Sequence, residues 1–262
     1  MPSFKVCIIG SGNLAFHLSK NLENAGIDIA CIFSRKRANA EKLAKKLYHA
    51  LPTDDFDLSD VNASIFFLCV SDDAISKLAN AFILPENSML VHCSGSTSLM
   101  SIKKEGVETG VFYPLQTFSS ERKISFEGVP VCIEASSGMA EGILEKIAKN
   151  LKSKPFFMNS EQRLTLHMSA VFACNFTNHL FYIAKLILQD QGLPFSLLHN
   201  LVAETVQKAM DKGPENVQTG PAIRNDVRTL AVHESMLGDN PYWQNIYISL
   251  SEDIKRINGS KD

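Results

Sequence analysis

Surplus charge is the first thing this sequence lacks. Its 26 Lys and Arg are balanced by 28 Asp and Glu, for a formal net charge of −2. Binding through phosphates needs many uncompensated basic side chains, so the balance argues against nucleic acid as a partner. Metal-ligand patterns are lacking too. The 6 cysteines form no CxxC pair, and there is no HExxH and no Cys/His cluster, so no metal is expected. No unbroken apolar run has the length of a bilayer span, which predicts no membrane partner. Met1 to Phe4 lead straight into a strand-like run, with no pattern of a secretory leader, and the expected location is cytoplasmic. Five cysteines (Cys7, Cys31, Cys69, Cys93 and Cys132) lie inside short apolar runs, where reduced core thiols are expected. Repeats and low-complexity tracts are missing as well.

What is present is an ordinary globular composition, 45% hydrophobic and 21% charged over 262 residues, enough for two modest domains. Up to residue 158, short apolar runs alternate with amphipathic stretches. Lys5 to Ile9, Ile27 to Phe33, Ala63 to Val70, Met89 to His92, Val107 to Phe112, Val129 to Ile133 and Pro155 to Met158 read as strands. Asn13 to Asn24, Ala38 to Tyr48, Ala74 to Ala81 and Ala140 to Leu151 read as helices. Strands that are apolar throughout predict a parallel sheet covered on both faces, and the alternation predicts a doubly wound α/β domain over residues 1–158. From residue 159 to 262 the pattern is all-helical. Glu161 to Gln189, Phe195 to Met210, Asp226 to Leu237 (with Asp226 as its cap) and Tyr242 to Ile257 are the expected helices.

Gly10-Ser11-Gly12-Asn13-Leu14-Ala15 joins the first strand to the first helix. This GxGxxA pattern has a physical job at each step. Gly10 permits the tight turn, Gly12 lets backbone approach a pyrophosphate, and Ala15 lets helix and strand pack closely. The helix N-terminus then presents N–H donors to an anion. Where a diol-binding Asp or Glu is usual, after the second strand, the sequence has Ser34-Arg35-Lys36. A carboxylate would repel a 2′-phosphate, whereas a hydroxyl and a guanidinium would bind it, so NADP is the expected cofactor rather than NAD. Val70-Ser71 and Cys93-Ser94-Gly95 follow further strands at carboxyl ends, where ligands of open α/β sheets sit. They complete the expected cofactor set. Asp72 and Asp73 either join that crevice or cap the next helix.

These motifs together resemble the 6-phosphogluconate dehydrogenase-like superfamily, and within it the pyrroline-5-carboxylate reductases and the deazaflavin-dependent NADP oxidoreductases. Tyr113-Pro114-Leu115-Gln116-Thr117-Phe118, the helix from His167 to His179, and Thr219-Gly220-Pro221 with Arg224 and Asp226 resemble a narrower family. That family comprises Rossmann-like bacterial proteins with a C-terminal helical domain of unassigned function. The resemblance implies an N-terminal Rossmann sheet, a smaller helical domain and NADP-linked oxidoreductase chemistry. The β-hydroxyacid dehydrogenases of the superfamily carry a catalytic lysine four residues before an asparagine. Here Asn175 has Val171 in that place, so that lysine does not carry over.

Candidate catalytic groups therefore come from pattern alone. On an unbroken α-helix, His167, Asn175, Asn178 and Tyr182 fall within an arc of about 80°. Such a stripe facing an interdomain cleft would hold a small polar substrate. His167 is the expected proton donor, since histidine exchanges protons near neutral pH. Asn175 is expected to orient the substrate, and Tyr113, at a strand end, is a second donor. Arg224 and Asp226 read as an ion pair ordering a loop, or as contacts to an acidic substrate. His17, His49 and His199 carry no signal. The expectation is hydride transfer between NADP and a small substrate, with an NADP-binding sensor or scaffold as the rival. Apolar residues on several faces of the helical domain, such as Leu180, Phe181, Ile183, Leu186 and Ile187, predict a homodimer through it.

Overall fold

Unbroken β-branched and aromatic runs need cover on both faces, and one sheet provides it. The structure, a computed structural model, describes residues 4–119 and 122–259. It contains two compact units, Met1–Val171 and Phe172–Asp262.

The first unit is built from β1 (Lys5–Ile9), α1 (Asn13–Asn24), β2 (Asp28–Phe33), α2 (Arg37–Ala44), β3 (Leu51–Thr53), β4 (Ile65–Leu68) and α3 (Asp72–Ala81). It continues with β5 (Met89–His92), β6 (Glu108–Pro114), β7 (Pro130–Ala135), α4 (Gly138–Asn150), β8 (Lys154–Phe157) and α5 (Ser160–Ala170). The strand order is β3-β2-β1-β4-β5-β6-β7-β8. Because β1 lies between β2 and β4, the chain direction across the sheet reverses there. A crevice opens at such a reversal, beyond the carboxyl ends of the strands. Alternate residues feed two cores: Ile8, Phe67 and Val91 on one face, Ile9, Phe66 and Leu90 on the other.

Three expectations are corrected in this unit. The sheet is not wholly parallel, because β6 and β7 pair antiparallel, with Tyr113 opposite Cys132. An antiparallel pair can be joined by a loop, and among the described residues no crossover helix lies between these two strands. The edge strand β3 is additional. Its sequence, Leu51-Pro52-Thr53, carries a proline that only an edge tolerates. Nor are all the core cysteines reduced: Cys7 and Cys31 form a disulfide. Neighbouring parallel strands place the two directly opposite, with Cα atoms 4.7 Å apart, inside the bridging range. Cys69, Cys93 and Cys132 are buried free thiols.

The composition shift at residue 159 marks the start of α5, whose first turn is closed by a capping box between Asn159 and Gln162. The compact units nevertheless divide later, at Val171. The reason is Arg163, which is 1% exposed and binds α5 to the sheet through Glu134 and the carbonyl of Thr97. The long expected helix is also not uniform. Val171–Phe176 is a π-helical turn, followed by α6 (Thr177–Asp190). Its wider i→i+5 geometry advances less than 100° per residue, so the single projected stripe from His167 to Tyr182 does not hold. By length and composition alone, the 31-residue helical stretch Ser160–Asp190, which contains an 18-residue window of mean hydropathy 1.3, is sufficient to cross a membrane. That corrects the expectation of no such run, which had counted only runs unbroken by polar residues.

The second unit contains α6, α7 (His199–Lys212), α8 (Val227–Met236) and α9 (Pro241–Gly259). Asp226 caps α8, accepting from Thr229 N at 3.1 Å and Thr229 Oγ1 at 2.7 Å. These bonds hold its carboxyl below the usual range. Its carboxylate is thus spent on the cap, and among the described residues it forms no ion pair with Arg224. His233 Nδ1 and the Tyr247 hydroxyl, 2.8 Å apart, join α8 to α9. The buried apolar side chains of this unit are few: Ile183, Ala222 and Leu230.

Candidate functional site

The glycine turn sits where the reversal of strand order opens the crevice. Gly10 has φ +128°, and a Cβ there would lie 2.2 Å from the Cys69 carbonyl oxygen, so glycine is obligatory. A Cβ at Gly12 would meet nothing within 4 Å, because this glycine faces open space. That space is a cavity of about 750 Å³ lined by the turn, by Ser34 to Lys36 and by Cys69 to Ser71. The helices α1, α2 and α3, whose N-terminal residues line it, receive no side-chain cap. In contrast α4, α5 and α8 are capped by side chains. First-turn N–H donors at the cavity are therefore left for an outside acceptor.

Of the expected cofactor residues, Gly10, Ser11, Gly12, Asn13, Leu14, Ser34, Arg35, Lys36, Val70 and Ser71 all line this cavity. Ser11 and Ser34 hydroxyls stand 3.2 Å apart across the turn. Arg37 is engaged by Glu41 and Asp54, whereas Arg35 and Lys36 have no ion-pair partner among the described residues. Both are exposed on the cavity wall. Two uncompensated cations beside a hydroxyl fit a phosphate monoester. Ala74, expected at the crevice with Val70 and Ser71, lines the cavity too, and Phe33, Asn39, Cys69 and Leu78 line it without having been anticipated. Asn39 stands one helical turn after Lys36, a spacing that could have flagged it.

Cys93, Ser94 and Gly95 belong to a neighbouring cluster. Burial pushes the Cys93 thiol above its ordinary range. Ser94 Oγ accepts from Ser96 N and Thr97 N, which folds the loop tightly. Ser96 Oγ donates to Asp72 at 2.5 Å, so Asp72 links two loops at the carboxyl edge of the sheet. A Cβ on Gly95 would come within 2.8 Å of both His167 Nδ1 and the Tyr113 ring. Only glycine leaves room for that pair. The Tyr113 hydroxyl and His167 Nδ1 are 3.1 Å apart, with rings edge to face. Burial, then Cys132 and Asp72, raises the Tyr113 pKa, so the phenol keeps its proton. The two donor candidates thus form one pair within the first unit. Asn175 lies in the second unit, exposed on the π-helical turn.

Arg163 escaped the sequence, whereas His92 is the strand end that the sequence predicts at the crevice. Arg163, one turn before His167, is the buried anchor of α5. His92, fully buried under the loop, has its pKa lowered to about 3, chiefly by burial and then by Arg163. His92 Nδ1 accepts from Ser94 N at 3.2 Å. A neutral histidine satisfies that bond.

A doubly wound sheet, a glycine turn facing an anion-fitting cavity and a helical C-terminal unit define a Rossmann-like dinucleotide-binding protein. Residues 5–94 match the family described as NADP oxidoreductase coenzyme F420-dependent, and residues 129–254 match a domain of unknown function, DUF2520. The candidate NADP oxidoreductase BF3122 from Bacteroides fragilis is 37% identical, with a TM-score of 0.89 over 97% of this chain and 98% of that one. A reductive aminase from Aspergillus terreus, solved with NADPH and ethyl-5-oxohexanoate, has a TM-score of 0.71 at 14% identity over 97% and 93% of the two chains. The 1-pyrroline-5-carboxylate reductase of Streptococcus pyogenes has a TM-score of 0.63 at 13% identity over 97% and 99%. The last two are likenesses of fold. No curated protein matches. The chain belongs to the family of Rossmann-like NADP oxidoreductase proteins with a C-terminal helical domain.

Proposed function

We propose that this chain is an NADP-dependent oxidoreductase acting on a small polar substrate. The observation that carries the cofactor is the pair Arg35 and Lys36, uncompensated on the wall of the glycine-turn cavity. Ser34 and Arg35 hold the 2′-phosphate, and the uncapped first turn of α1 holds the pyrophosphate. Bound nicotinamide supplies the hydride donor or acceptor. Tyr113 keeps its proton and offers it to the oxygen or nitrogen that gains charge during reduction. His167 Nδ1 accepts the Tyr113 hydrogen bond, orienting the phenol and serving as its proton partner. Asp72 holds the Ser96 loop beside them. Asn175 orients the substrate in this reading, and the chain acts in the cytoplasm.

The test is a titration of NADPH and NADH by intrinsic fluorescence or thermal shift. NADPH binds more tightly in the expected result. Arg35→Ala weakens NADPH by about 10- to 100-fold, the worth of charge-assisted hydrogen bonds, and leaves NADH nearly unchanged. Equal loss for both nucleotides, or preference for NADH, defeats the cofactor assignment. For chemistry, a panel of imines and keto acids is followed by NADPH absorbance. Tyr113→Phe abolishes turnover while NADPH still binds. Full activity in that variant removes Tyr113 from the mechanism, and no turnover with any compound favours a sensor.

We also propose that the chain is a homodimer through its helical unit. The three buried apolar side chains of that unit stand against exposed Phe172, Leu180, Leu201, Met210 and Met236. A unit of this size needs a larger core than its own fold encloses.

A further inference from the structure

We infer that Asn13, His17 and Asn21 are positioning residues that tie the β6–β7 connection to the coenzyme helix, so that occupancy of the glycine turn is felt at Tyr113. The inference rests on the coenzyme reading above.

The three residues recur every four positions along α1 and so share one face. Each spends its side chain on backbone far away in sequence. Asn13 Nδ2 donates to the Phe118 carbonyl at 3.1 Å. His17 Nε2 stands 2.8 Å from the Ser119 carbonyl, which can only accept, so that nitrogen carries the proton. Asn21 works in both directions. Its Nδ2 donates to the Ile124 carbonyl at 2.9 Å, and its Oδ1 accepts from Phe126 N at 3.3 Å. The Phe118 ring lies against His17 and stacks on Phe126, at 5.7 and 5.6 Å between centroids. His17 is 2% exposed, beneath the half-buried Phe118.

Asn13 stands at a junction. It is the first residue of α1 and lines the cavity, so its backbone is part of the turn that would hold a pyrophosphate. Its side chain is committed to Phe118. Phe118 is five residues beyond Tyr113, and the connection leaves the sheet through Pro114 and a Leu115 N to Pro130 carbonyl bond of 2.8 Å. Proline stiffens that path. A ligand that orders the first turn of α1 therefore restrains Phe118, and through the short connection restrains the strand end that carries the phenol. On this account the motif residue Asn13 acts on the β6–β7 connection with its side chain and on the coenzyme with its backbone.

Amide hydrogen exchange read by mass spectrometry tests this on the full chain, with and without saturating NADPH. In the wild type, NADPH slows exchange at residues 10–15 and also at 116–119 and 124–126, by about fivefold or more, the worth of one net hydrogen bond. Asn21→Ala removes both Asn21 bonds to the connection, and its bond to the His17 carbonyl within α1, two turns away from the glycine turn. It should bind NADPH within about twofold of wild type, with slowing at 10–15 and 116–119 kept and slowing at 124–126 lost. A merely structural role would loosen 124–126 equally with and without NADPH. Asn21→Asp is isosteric, retains the Phe126 bond and loses the Ile124 bond. It carries the same test with a partial loss should the alanine variant not fold. NADPH binding that leaves 116–119 unchanged in the wild type overturns the inference alone, as does slowing at 124–126 that survives in both variants. Failure of the wild type to bind NADPH at all overturns the coenzyme reading and this inference with it.

Discussion

A buried histidine should make this fold sensitive to acid. His92 is fully enclosed at the end of β5 and its pKa is lowered from 6.5 to about 3, first by burial and then by the Arg163 charge. The folded chain keeps it neutral, whereas the unfolded chain protonates it below pH 6.5. Stability from this group is therefore complete above that value and drains as pH falls toward 3. Between pH 7 and 5 the loss is about 2 kcal/mol. Urea unfolding at the two pH values measures it, and His92→Gln should flatten the difference. An unchanged pH slope in that variant would assign the acid sensitivity elsewhere. The sequence sets His92 at the end of an apolar strand run, unlike His49 and His199, but does not give its depth. Its burial comes from β5 being an interior strand, a property of sheet order and not of neighbours in the chain.

At the scale of elements, α5 shows why a boundary read from composition need not coincide with a boundary of packing. The change to helical pattern at residue 159 is real, and the capping box at Asn159 is local enough to be read from the sequence. Arg163, however, faces the sheet and pairs with Glu134 across 29 residues. Removing one partner of such a buried pair costs about 3–5 kcal/mol, while replacing both by apolar groups is close to neutral. Arg163→Met should therefore lower stability by that amount in denaturant titration, and Arg163→Met with Glu134→Leu should recover part of it. A single variant costing under about 1 kcal/mol would show that α5 is held by other contacts. The same anchor fixes the turn that carries His167. The π-helical turn that follows was illegible for a different reason. Periodicity arguments assume a constant angle per residue, and Val171–Phe176 does not keep it.

For the whole molecule, the exposed apolar side chains of the helical unit, among them Leu201, Met210 and Met236, motivate the proposed dimer. A second copy of the helical unit is the proposed cover. Sedimentation at micromolar concentration should give twice the chain mass, and the melting temperature should rise with protein concentration. Leu201 is 64% exposed within the chain. Leu201→Glu would then bury a charge and break the dimer, whereas on a free surface it would be nearly silent. A monomer in sedimentation, or partition of the protein into lipid vesicles through Ser160–Asp190, would count against the second copy.

The sequence by itself determined the dinucleotide fold, the glycine turn and the basic pair after β2. Each of these is a local demand. Gly10 must adopt a positive φ beneath a neighbouring carbonyl, Ser34 to Lys36 must stand at a strand end, and the strands must be apolar on both faces. Only the tertiary structure decided that Cys7 meets Cys31, that Tyr113 meets His167 beside Gly95, and that α1 holds the β6–β7 connection. Sheet register chooses the first pair, and the anchoring of α5 to the sheet through Arg163 the second. The third is invisible to sequence because its partners are carbonyl oxygens and an amide, which every residue supplies, so the contact leaves no mark on the side chains at its far end.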